Sequence, residues 1–184
     1  MTNVRWTPLV WVSHVLDVVG AGLVLWPLRI LVTAWLAWRR RKRALALWIS
    51  AAVVSEAAIG LLKAAYGRAR PPDPLVPISG FSFPSGHTMA ATVIVIALVF
   101  VFIPPGLERR RWEIGAGVFA VCMGMSRTLL GAHWLSDAVA GTVIGMAVTI
   151  GAAAAVQWWT ARPPSSLPPD PIPVDEAVGS LARE

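Results

Sequence analysis

Lys63, Arg68, Arg70, His87, Arg127, His133 and Asp137 all stand at or near the ends of long apolar runs. Charged groups next to or inside a bilayer are costly and tend to be functional. Their spacing points to anion chemistry. Lys63 and Arg70 are seven residues apart, two helical turns, so both can face one way. Pro71 and Pro72 then end that helix. His133 and Asp137 are four apart, so on a helix the carboxylate can accept a hydrogen bond from one imidazole nitrogen. That fixes the tautomer and leaves the other nitrogen free as a nucleophile. Pro84-Ser85-Gly86-His87 opens another apolar run, and a helix N-terminus offers unpaired N–H groups to an anion. Three cations, a helix N-terminus and two histidines are what a phosphate site needs. Taken singly, Lys63 and Arg70 read equally well as interfacial anchors, and His87 as part of a capped helix start. A metal site is disfavoured, because the histidines bring one nearby carboxylate and their other neighbours are cations.

The elements that carry these groups are membrane spans. The 184-residue chain is 56% hydrophobic, with mean hydropathy +0.64 and 14% charged residues. Soluble domains carry about 25% charged residues, so the composition is that of an integral membrane protein. A spanning helix needs about 20 apolar residues, and segments 44–66, 85–103, 112–131 and 134–159 fit. The stretch 8–38 divides best at Gly20-Ala21-Gly22. Residues 20–38 then form a further span, and 7–19 a short interfacial helix carrying Ser13, His14 and Asp17. The expected fold class is all-α: a polytopic bundle of five spans plus an N-terminal interfacial helix. A tight hairpin in 8–38 would make six.

The net charge of +6 and pI of about 11.0 reside largely in "RRRKR" (39–43) and "ERRR" (108–111), each directly after an apolar segment. That is a topology signal rather than a nucleic-acid surface. It puts those loops and the C-terminal tail in the cytoplasm, and loops 67–84 and 131–134 outside. The N-terminus carries no signal-peptide pattern. Cys122 reads as a small packing residue. The Pro-rich segment 161–184 is expected to be a disordered cytoplasmic tail, leaving 1–160 as one membrane domain.

Three motifs, Lys63 to Arg70-Pro71, Pro84-Ser85-Gly86-His87, and Ser126-Arg127 to His133 and Asp137, resemble the signature of the type 2 phosphatidic acid phosphatase (PAP2) superfamily in residue type and spacing. The resemblance implies a six-helix membrane bundle that dephosphorylates lipid phosphates without metal or other cofactor. It implies that Lys63, Arg70 and Arg127 clamp the phosphate, with the N–H groups of Ser85 and Gly86. Ser126 and Arg68 would play supporting parts. His133 would attack phosphorus, Asp137 orient it, and His87 pass the proton. Loop 71–83 would form a lid or rim. The implied partners are membrane lipids and a lipid phosphate: undecaprenyl or another prenyl diphosphate, phosphatidylglycerol phosphate or phosphatidic acid. The implied location is the cell membrane, with the site on the extracytoplasmic side. Alternatives are a haloperoxidase-like vanadate site, and a non-catalytic lipid-phosphate binder or transporter.

Two features lie outside the motifs. Arg29 and Glu56, each mid-span, differ in depth by about 4–5 Å counted from the Arg41 loop, which predicts an intramembrane ion pair. Gly141 and Gly145 form a small-residue face that packs a helix in its own bundle or makes a homodimer seam.

Overall fold

A computed structural model of the chain describes residues 7–161 and contains six helices and no strand among them. They are α1 (Thr7–Gly20), α2 (Gly22–Trp38), α3 (Lys42–Tyr66), α4 (Gly86–Phe102), α5 (Leu107–Leu129) and α6 (Leu135–Ala161). Of the expected tail, 161–184, Ala161 belongs to α6 and the rest lies outside the described residues.

α3 and α6 are each long and apolar enough to cross a membrane. α1 and α2 together pass the same test as one pair bent by 44°. α4 is apolar but shorter, with 17 residues. The bend falls at Gly20-Ala21-Gly22, where the sequence divides the stretch. The first helix, however, packs on α5 and α4, a tertiary role that the sequence did not reveal. α5 begins at Leu107, five residues before the expected start at 112, and takes in the basic run. Charged side chains do not stop a helix. Glu108 suits its positive end, and Arg109 pairs with Glu113 one turn on, at 2.9 Å.

α4 lies at the centre, packed against α3, α5 and α6. It is apolar on all sides, as a helix buried all round must be. Its start is fixed by Ser85, whose Oγ accepts from the Thr88 amide and hydroxyl. Large apolar side chains such as Leu23, Leu61 and Val143 face outward. Buried hydroxyls are satisfied within their own helices: Thr92 donates to Thr88 O at 2.7 Å, and Thr149 to Gly145 O at 2.9 Å.

Gly141 and Gly145 press α6 onto α4. A Cβ on Gly141 would lie 2.8 Å from Ser85 O, and one on Gly145 3.0 Å from Met89 O. The face is therefore used inside the bundle and is not open as a seam between two copies. Cys122 is exposed, not a packing residue as expected. Arg29 and Glu56 do form the expected ion pair between α2 and α3.

Candidate active site

Two helix ends deliver the central histidine. α5 closes in a Schellman motif: Gly131 N–H bonds Thr128 O, and Ala132 N–H bonds Arg127 O, both at 3.0 Å. Gly131 adopts φ +65°, which a side chain would resist. The chain turns at once into α6, leaving His133 between the two helices and 2% exposed. Asp137, three residues into α6, accepts from the Trp134 N–H at 3.1 Å as in a capping box.

His133 sits in a network of fixed donors. Arg70 Nη1 lies 3.2 Å from His133 Nε2. A guanidinium only donates, so Nε2 is the acceptor and the ring proton belongs on Nδ1. Nδ1 faces Ser82 Oγ at 3.4 Å, and Ser82 Oγ donates to Asp137 Oδ2 at 2.5 Å. The direct Nδ1–Oδ2 distance is 3.8 Å, too long for a hydrogen bond. The expected direct contact is thus replaced by a relay through Ser82, because Asp137 Oδ1 is drawn to Arg68 at 2.6 Å. Arg68 also donates to Ser136 Oγ at 2.8 Å and stacks over Trp134, so its supporting part is to hold Asp137. Burial first, then the charges of Arg70, Arg127 and Lys63, push the His133 pKa down to about 3. The ring is neutral at physiological pH, and its Nε2 lone pair accepts from Arg70.

The cations are oriented by the loop after α3. Gly67, at φ +52°, ends that helix before Arg70 rather than at Pro71 as expected, so Lys63 stands on α3 and Arg70 in the loop. Arg70 donates to the carbonyls of Gly80, Ser79 and Ala132 at 2.9, 2.7 and 2.8 Å. Lys63 Nζ donates to Phe81 O at 2.5 Å. Loop 71–83 therefore grips both cations and, through Ser82, the histidine.

A cavity of about 360 Å³ brings Lys63, Arg70, Gly86, His87, Arg127 and His133 together on its wall. Ser85 and Ser126 are not on it. The Ser85 N–H is taken by Asp137 O at 3.1 Å, and the Ser126 hydroxyl by Met123 O at 2.7 Å. The expected phosphate contacts from these two are therefore not available as placed. Ser85 instead caps α4 and ties its turn to α6.

Sequence reasoning missed two participants. Ser82 lies in a loop read only as a lid or rim. Asp17, on α1, forms an ion pair with Arg127, and its Oδ1 lies 3.5 Å from His87 Nε2. A signal existed for Asp17: the outer layer held four cations against one carboxylate, which calls for another anion.

A helical bundle with a neutral, buried imidazole facing a cationic cavity has the form of a phosphate-handling membrane protein. The chain belongs to the PAP2 superfamily, whose family model matches residues 43–161. It is 43% identical over 77 residues to phosphatidylglycerophosphatase B of Bacillus subtilis (strain 168), covering 40% of this chain and 38% of that protein. It is 33% identical over 114 residues to lipid A 1-phosphatase of Rhizobium etli, covering 53% of this chain and 46% of the relative. The match thus spans less than half the length of these curated relatives. The crystal structure of a transmembrane PAP2-type phosphatidylglycerolphosphate phosphatase from Bacillus subtilis superposes with TM-score 0.70 at 29% identity, over 89% of this chain and 82% of that one.

Proposed function

We propose that the protein is a lipid phosphatase of the membrane, acting through a phosphohistidine. The observation that carries this is the state of His133: Nε2 faces a cationic cavity while Nδ1–H is held by the Ser82–Asp137 relay. Lys63, Arg70, Arg127 and the Gly86 N–H hold the phosphate oxygens. His133 Nε2 forms a bond to phosphorus as the bond to the leaving lipid oxygen breaks, and protonated His87 gives that oxygen its proton. Neutral His87 then takes a proton from water. The water oxygen bonds to phosphorus, the N–P bond breaks, and phosphate leaves with His133 neutral again. Asp17 positions His87 and Arg127. Preorganised donors around the transferring group lower the barrier.

The reaction as written needs no metal. The cationic lining supports that reading. In the bilayer, α3 to α6 and the α1–α2 pair make five spans, with α1 at the outer boundary and the cavity mouth on the extracytoplasmic face of the cell membrane. The basic runs at the other end support this orientation. Among the candidates the relatives' names favour a glycerophospholipid phosphate, and they add lipid A phosphate to them.

The test is phosphate release from a panel of lipid phosphates by purified protein, with and without EDTA. Release that survives EDTA and vanishes in His133→Ala is expected. Turnover by His133→Ala at the wild-type rate would remove the nucleophile assignment. Loss in EDTA with recovery on adding Mg²⁺ would replace the mechanism.

A further inference from the structure

The cavity that holds the phosphate cradle has a second polar end. Arg29 of α2 and Glu56 of α3 also line it, with Leu25, Ile59 and Ala90 as apolar wall between. Glu56 lies seven residues inward of Lys63 on α3, about 10 Å along the helix.

Arg29 is 5% exposed, and its Nη1 pairs with Glu56 Oε1. Its Nε and Nη2 are buried and make no hydrogen bond among the described residues. The guanidinium stands 5.2 Å from the centroid of the Trp26 ring. Buried N–H groups are seldom left unpaired, and a charged group in apolar surroundings still less so. A clamp for the α2–α3 hairpin needs only the ion pair. Arg29 thus carries two spare donors on a side chain that lines a substrate-sized cavity, closed off as placed and able to meet an oxygen acceptor by a turn of the guanidinium.

We propose that Arg29, steadied by Glu56, is a second polar subsite. It binds an acceptor oxygen in the linker that joins the scissile phosphate to the lipid tails. The proposal rests on the phosphatase reading and narrows its substrate class. An extended chain advances about 1.2 Å per bond, so 10 Å takes about eight bonds. A prenyl diphosphate is already hydrocarbon at that distance and would set a methylene against the unpaired N–H groups. A glycerol-linked phosphodiester or acyl ester still presents oxygens there. The fitting ligand is therefore a lipid with a terminal phosphomonoester and a second, inward acceptor group.

The experiment compares two substrates of matched chain length in detergent: an alkyl monophosphate and a phosphatidylglycerol phosphate. The proteins are wild type, Arg29→Gln, and the neutral pair Arg29→Gln/Glu56→Gln. Wild type should favour the glycerol-linked lipid in kcat/KM by about tenfold or more, as expected for one hydrogen bond to a charged donor. Both variants should reduce that preference by about tenfold, with the loss in KM. A wild type with no preference overturns the proposal whether or not the variants fold. An equal fall for both substrates also overturns it, because a purely structural pair would act on both alike. Hydrolysis of neither lipid by wild type would instead defeat the phosphatase reading. The dissociation constants of the same two lipids then decide the subsite by the same ratio.

Discussion

Ser82→Ala isolates the relay behind His133. In the native site Ser82 Oγ lies 3.4 Å from His133 Nδ1 and donates to Asp137 Oδ2 at 2.5 Å, while the two outer partners are 3.8 Å apart. Alanine removes both bonds, but Asp137 keeps Arg68 and the Trp134 N–H. With a neutral ring, losing the Nδ1–H acceptor costs about 0.5–1.5 kcal/mol. In the proposed mechanism the ring becomes cationic as the N–P bond forms, and the same hydrogen bond is then charge-assisted, worth about 1.5–3 kcal/mol. The difference, about 1–2 kcal/mol, falls on the transition state and predicts a kcat lower by about 5- to 30-fold. Ser82 is not on the cavity wall, so KM should hardly change. Steady-state phosphate release over a range of lipid phosphate concentrations measures both constants. Wild-type kcat in Ser82→Ala beside an inactive Asp137→Ala would falsify the relay, since the carboxylate would then act without the serine. An effect confined to KM would be equally damaging.

Asp17→Asn should lower kcat, because His87 loses the carboxylate that favours its imidazolium once the phosphate has taken up Arg127. The lost charge-assisted bond is worth about 1–3 kcal/mol, towards the lower end for a side chain that is 25% exposed; kinetics paired with thermal unfolding will show it. Gly141→Ala drives a Cβ to 2.8 Å from the Ser85 carbonyl and should cost about 1–3 kcal/mol in stability as well as activity, since the His87 turn must move. Gly115→Ala, with nothing within 4 Å, is the control and should leave both unchanged or raise stability slightly. Stability should fall as pH drops from 6.5 towards 3. His133 titrates near 3 when folded against 6.5 in the unfolded chain, so the unfolded state binds more protons across that window. Melting curves of His133→Gln over the same range should be flatter.

The helices were largely legible because apolar length is a direct statement of what must be buried. α2, α3, α4 and α6 start and end within two residues of the sequence expectation. α5 was not, because hydropathy marks where charge begins and a helix continues through Glu108 and its arginines. In the site, the residue types were legible but not the way they are placed. Lys63, Arg70 and His133 do reach one cavity, yet not by the helical period: α3 ends at Tyr66, and Arg70 is aimed by the carbonyls of Ser79, Gly80 and Ala132. What the sequence could not show was competition for partners. The Ser85 N–H looks available at a helix start until α6 brings the Asp137 carbonyl to it. His133 and Asp137 have hydrogen-bonding spacing, but Arg68, 69 residues away, draws the carboxylate aside. Asp17 lies 110 residues from Arg127, and only the packing of α1 on α5 unites them.

The distribution of carboxylates explains where an anion should bind. Asp137 faces Arg68, Asp17 faces Arg127 and Glu56 faces Arg29. Among the described residues, Lys63 and Arg70 have no carboxylate partner and donate instead to backbone carbonyls. Carbonyl dipoles orient a cation without cancelling its charge, so the uncompensated positive potential is concentrated at these two groups. Both line the cavity with His133, a histidine kept neutral by its burial, and Arg70 lies 3.2 Å from its Nε2. An incoming phosphate thus meets charge that no internal anion has neutralised and donors already held in place, so little reorganisation remains when the transition state forms. Arg127 differs. Its charge is shared with Asp17, which also stands beside His87, so an entering phosphate competes with that carboxylate for the guanidinium. As the phosphate takes up Arg127, Asp17 is left to His87, favouring the imidazolium that in the proposed mechanism gives a proton to the leaving oxygen.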